Sequence, residues 1–194
     1  MKKSVLQLFI PTSCVLAPVS AWAHTGVHEM MGRASGFIHP ITGADHVLAM
    51  VAVGLWAVQQ GGRALWAVPV AFVAMMMAGG MLGLAGVALP YAEQGILMSV
   101  LVLGAVVAGA FEMPLAFSVS MVGVFALCHG YMHGVEMPSA ANAVPYSLGF
   151  VLATVLLHVA GMSMGVILRK LSTEKAMRLA GSAITLGGIY LSIG

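Results

Sequence analysis

Charge is what this sequence has least of. Lys, Arg, Asp and Glu make up only 7% of its 194 residues while 60% are hydrophobic, against roughly 25% charged in soluble domains. That balance excludes a water-soluble domain and marks an integral membrane protein. The eight Lys and Arg give a net charge of +2 with histidines neutral, and they sit at segment ends. No basic patch results, so nucleic-acid binding is excluded. Cysteine is nearly missing as well. Cys14 lies in the N-terminal leader, which leaves Cys128 without an intramolecular partner and the chain without a thiolate cluster for a soft metal. There is no phosphate-binding Gly-rich loop, so the chain hydrolyses no ATP, and there is no His-Glu-x-x-His.

What is there divides simply. Residues 1–23 read as a cleaved signal peptide: Met1-Lys2-Lys3, an apolar run from Val5 to about Val19, then Ala21-Trp22-Ala23 as a small-x-small cleavage site. Residues 24–35 form a polar N-terminal arm on the periplasmic side. Residues 36–194 form the transmembrane domain, an all-α bundle of six spans near the ~20 residues a bilayer needs. The spans are placed at 36–59, 64–88, 93–111, 114–134, 144–168 and 175–193. Export of the leader puts the mature N-terminus outside and Arg63, Arg169, Lys170, Lys175 and Arg178 inside, as the positive-inside rule asks; only Arg33 stays outside. Both mature termini then face the periplasm, and the membrane is the bacterial cytoplasmic one. Small residues such as Gly79, Gly80, Gly83, Gly86, Gly161 and Gly165 suit close helix approach. Six spans also divide into two sets of three, inverted relative to each other.

The organising stretch is Gly36 to Met50, which places His39, Asp45 and His46 in an otherwise lipid-soluble segment. Such groups cost several kcal/mol in hydrocarbon unless each finds a partner. Pro40 pushes the residue before it out of the α region and suits a first helical turn, so a helix is predicted to start or restart there. His46 and Met50 then share a face, and Asp45 points about 100° away from His46. Were the turn helical through His39, its ring would stack about two turns from His46. Together these side chains offer a cation two nitrogens and an oxygen.

His129 and His133, one turn apart near the outer end of the fourth span, have the spacing of two ligands on one metal, and Glu136 follows them. His158 sits about twelve residues into the fifth span, with Thr154 one turn before it on the same face. The expected ladder runs from His129 and His133 outside, through His39 and His46 in the middle, to His158 deeper. A lone membrane histidine is more often a helix-to-helix hydrogen bond, and His158 with Thr154 alone would be one. Five histidines in three spans beside Asp45 point to metal instead. Met75, Met76, Met77 and Met81 read as flexible packing, and Glu112 as a solvated span end. Glu93 is the better acidic candidate because it faces the periplasm. After cleavage His24 offers a ring nitrogen and a free amine to an ion, with His28 and Glu29 nearby; a solvated arm is the plainer reading. Imidazole with carboxylate suits Ni, Co and Zn and argues against Cu(I).

These residues carry a resemblance. His39-Pro-x-x-Gly43-x-Asp45-His46-x-x-x-Met50, then His129-Gly-x-x-His133-Gly-x-Glu136-x-Pro138, then Gly149-Phe-x-x-Ala-Thr154-x-x-Leu-His158, resemble the HupE/UreJ family of nickel permeases across the mature chain. The resemblance implies a secondary permease, not an enzyme, that moves Ni2+ or Co2+ from periplasm to cytoplasm to supply hydrogenase or urease. The ion is substrate rather than cofactor. By motif position the residues carried over are His39, Asp45, His46, His129, His133 and Glu136. Cys128 stands where the family pattern has an aromatic residue; an extra soft ligand or a neutral replacement would both fit, and the second is favoured. Two other classes compete: an intramembrane haem or di-iron redox protein, and a metal sensor that transports nothing. Haem would need two rings facing across helices, and a di-iron centre several glutamates.

Overall fold

The computed structural model describes residues 33–137, 142–171 and 174–193. The leader and most of the arm, including His24, His28 and Glu29, lie outside the described residues. Seven helices follow one another: α1 (Arg33–Thr42), α2 (Ala44–Gln60), α3 (Ala64–Leu84), α4 (Ala92–Gly109), α5 (Leu115–Val135), α6 (Ala143–Leu171) and α7 (Glu174–Ile193). Helices are what long apolar runs must form in lipid, where each backbone N–H and C=O needs a partner within its own segment. Glycines at positive φ turn the chain where it reverses, Gly61 and Gly62 after α2 and Gly86 after α3. Helices α3 to α7 are each long and apolar enough to cross a membrane, and α1 with α2, bent by 81°, passes the same test as a pair, giving up to six crossings. The expected all-α membrane bundle is therefore present.

The first span departs from expectation in where it breaks. Pro40 lies inside α1, and His39 before it is helical. The break comes at Gly43, whose extended backbone (φ −81°, ψ 114°) precedes α2 and lets α1 turn away by 81°. Pro40 is tolerated because it sits in the last turn of a short helix, with Gly36 as the residue whose carbonyl its ring approaches. The interruption belongs to the glycine, not the proline.

Helix α2 is the hub. It is buried almost continuously from Ala49 to Val58 and packs on α1, α3, α4, α6 and α7. Around it the helices pair through glycines that let backbones touch. A Cβ on Gly79, Gly83, Gly130 or Gly134 would overlap backbone atoms across the α3–α5 seam. Gly54 and Gly161 play the same part between α2 and α6, and Gly104 with Gly181 between α4 and α7. Outward faces carry Trp66, Met81, Val124, Leu148 and Leu186, all exposed, as lipid-facing positions should.

One end of the bundle is held by polar side chains. Gln59 Nε2 donates to the Val107 carbonyl at 3.1 Å, and Gln60 Nε2 donates to Ser118 Oγ at 3.1 Å. Arg169 donates to the Val58 carbonyl and Arg178 to the Ala108 carbonyl, each at 2.8 Å, covering the last carbonyls of α2 and α4. The basic residues expected inside thus include two that seal helix ends on the same face of the bundle. The histidine-bearing ends, the start of α2 and the finish of α5, lie opposite.

Candidate metal site

Three helices, the consecutive α1 and α2 and the distant α5, deliver imidazoles to one place. The bend at Gly43 brings His39 and His46 to a ring separation of 6.1 Å, whereas seven residues of unbroken helix would space them by about 10 Å along the axis. The glycine-lined seam with α3 sets α5 so that His129 and His133 are buried. Successive ring centroids then lie close: His39 to His133 4.8 Å, His133 to His46 4.5 Å, His46 to His129 4.9 Å. His39, His46, His129 and His133 therefore form one alternating stack. The expected order, with His129 and His133 outside and His39 and His46 deeper, is corrected: the two pairs interleave at shared levels. The reason is that α2 begins at Ala44, so His46 occupies the first turn of its helix instead of the middle of a straight span.

The mouth of the stack is the His39 end. His39 and Glu136 remain 30% and 22% exposed and stand 4.0 Å apart, while His46, His129 and His133 are buried. One ligand atom each from His39, His133 and Glu136 lies within 4.8 Å of the others. Around a single ion with bonds of about 2.1 Å, donor atoms lie about 3.0 to 4.2 Å apart. Closing on an ion therefore needs sub-ångström adjustment. Glu136, capping the end of α5, supplies the oxygen in this trio.

Asp45 is placed differently. Its Oδ1 accepts from His46 Nδ1 at 2.7 Å and from the His46 backbone N–H at 2.9 Å. A carboxylate only accepts, so a neutral His46 carries its proton on Nδ1 and turns a bare Nε2 lone pair toward the stack. His133 Nε2 lies 2.6 Å from that atom, so in the neutral pair His133 is the donor. A dication would take the place of the shared proton, with Asp45 fixing the ring from behind as carboxylates commonly do for metal-bound histidine. Gly43 leaves the room for this pair: a Cβ there would stand 2.9 Å from His46 Nδ1 and 3.0 Å from Asp45 Oδ1.

At the buried end His129 Nε2 meets Ser99 Oγ at 2.9 Å, and Ser99 in turn donates to the Ile96 carbonyl at 2.6 Å. His129 Nε2 is then the donor. Sequence reasoning missed Ser99, because a single serine in an apolar helix carries no spacing signal. Phe72 was missed for the same reason; its fully buried ring touches both His129 and His158, at 5.7 and 5.0 Å between centroids. His158 therefore stands apart from the stack, with Phe72 as a ring neighbour it shares with His129. Its expected neighbour Thr154 is buried but donates to Met76 Sδ at 3.5 Å. Cys128 Sγ faces Gly95 of α4, and Glu93 lies exposed in the first turn of α4.

Residues 12–191 match the family model described as HupE / UreJ protein. Protein HupE of Rhizobium leguminosarum bv. viciae is 44% identical over 177 residues, which cover 91% of this chain and 92% of the relative. No solved structure matches the chain.

Proposed function

The chain belongs to the HupE/UreJ family, and on that premise we propose that it is a secondary permease carrying Ni2+, or Co2+, from periplasm to cytoplasm for nickel enzymes such as hydrogenase or urease. The observation that carries this reading is the convergence of His39, His46 and His133 with Glu136 at one end of a multi-pass helical bundle. Neutral imidazole with one carboxylate is a donor set for borderline first-row dications. An ion is received at the partly open His39–Glu136 mouth, exchanges water for nitrogen at His133 and His46, and moves toward His129. Several adjacent sites of moderate strength favour entry without trapping. A negative interior would draw a dication in by about 4.6 kcal/mol per 100 mV. The mouth is placed on the periplasmic side, opposite the face sealed by Arg169 and Arg178, as the basic residues' inward preference suggests.

The competing redox reading is disfavoured by the stack itself. Two Nε2 atoms at 2.6 Å leave no room for a porphyrin between the His46 and His133 rings. The sensor reading differs only in flux, so flux is the test. Purified protein in liposomes with an inside-negative potential is expected to accumulate radioactive nickel, and His46→Ala or Asp45→Asn to abolish accumulation while the protein still inserts. Uptake undiminished in either variant rejects the permease reading.

A further inference from the structure

Against Phe72 lies a histidine with no structural occupation. His158 is 1% exposed, and neither of its ring nitrogens has a hydrogen-bond partner among the described residues. A buried polar atom left in that state is uncommon and normally signals something else that satisfies it. The side chain best placed to do so, Thr154 one turn away, spends its hydroxyl on Met76 Sδ instead. His129, against the same phenyl ring, repeats the pattern: its Nε2 is held by Ser99, while its buried Nδ1 has no partner. Two imidazoles packed on Phe72 thus each hold a nitrogen in reserve.

We infer that His158 is a second, inner station for the transported dication, reached from His129 past the ring of Phe72. The inference rests on the permease reading above. In the stack, each ring follows the last by 4.5 to 4.9 Å, so neighbouring rings share an ion during a step. Phe72 packs on both His129 and His158 and has no lone pair to offer, so an ion passing from one imidazole to the other must skirt its ring. The level beyond is poorer in oxygen: Asp45 and Glu136 belong to the outer cluster, while His158, Thr154 and the Met76 thioether lie together between α3 and α6. Such a site receives Ni2+ or Co2+ and refuses Mg2+ and Ca2+, which require oxygen.

Equilibrium dialysis against Ni2+ tests it, using protein in which His24→Ala and His28→Ala remove the ligands of the N-terminal arm. This parent is expected to bind two ions and His158→Leu one, with nickel flux in proteoliposomes falling at least tenfold. The equivalent that His158→Leu retains reports an intact outer cluster and hence a folded bundle. Equal stoichiometry in parent and His158→Leu overturns the inference. So does a parent that transports nickel yet binds a single ion, an outcome that leaves the permease reading standing and decides the matter even if His158→Leu cannot be purified. A parent that neither binds nor transports nickel removes the permease reading and this inference together.

Discussion

At the scale of single residues, Gly43 does two jobs that its neighbours make visible. It interrupts the first span, and its missing side chain leaves space for the Asp45–His46 pair. Its φ of −81° is open to any residue, so the cost of adding a methyl lies in space alone. Gly43→Ala is expected to push Asp45 off His46 Nδ1 and weaken Ni2+ binding about 10- to 100-fold, the usual penalty for disturbing the group behind a ligating histidine. Pro40→Ala, inside α1, is expected to leave affinity unchanged. Isothermal titration of both variants separates the two residues; equal effects would return the break to the proline. The ligand candidates themselves were legible in sequence, because histidine and aspartate are conspicuous where nearly everything else is apolar. Gly43, Ser99 and Phe72 were not: their roles depend on which atoms face them across other helices, and nothing in a linear apolar run records that.

At the scale of helices, the seam between α3 and α5 determines where His129 and His133 stand. Gly130 lies between them, and a Cβ on it would overlap the Met76 carbonyl. Gly130→Ala is therefore expected to force the two helices apart and lower stability by about 3 kcal/mol, with a lower unfolding midpoint in detergent and loss of nickel uptake. Gly80→Ala is the contrast. Its Cβ would meet only the Gly130 carbonyl at an ordinary 3.5 Å, so the midpoint should hold or rise, since alanine favours a helix over glycine by about 1 kcal/mol. Sequence spacing showed that glycines line these spans, and their close approach follows from it. Which glycine faces which helix did not, for Gly79 and Gly80 look alike in sequence while only the first is pressed against α5. The spans themselves were legible to within a few residues, because length and hydropathy alone define a crossing. The depth of the histidines was not, since it depended on α2 beginning more than two turns after the apolar run does.

At the scale of the whole molecule, counting α1 and α2 as the first span, the first packs most extensively on the fifth, the second on the fourth and the third on the sixth. The histidines of the first and fourth spans meet in one stack. In the proposed permease these rings gather around a single dication. X-ray absorption at the nickel edge, on Ni2+-loaded protein with His24→Ala and His28→Ala, tests it most directly. Two or more imidazoles with at least one oxygen near 2.1 Å are expected, and the double variant His46→Ala, His133→Ala should show imidazole scattering reduced to the share that His39, His129 and His158 supply. An ion surrounded by oxygen alone, or imidazole scattering unchanged in that double variant, would contradict it.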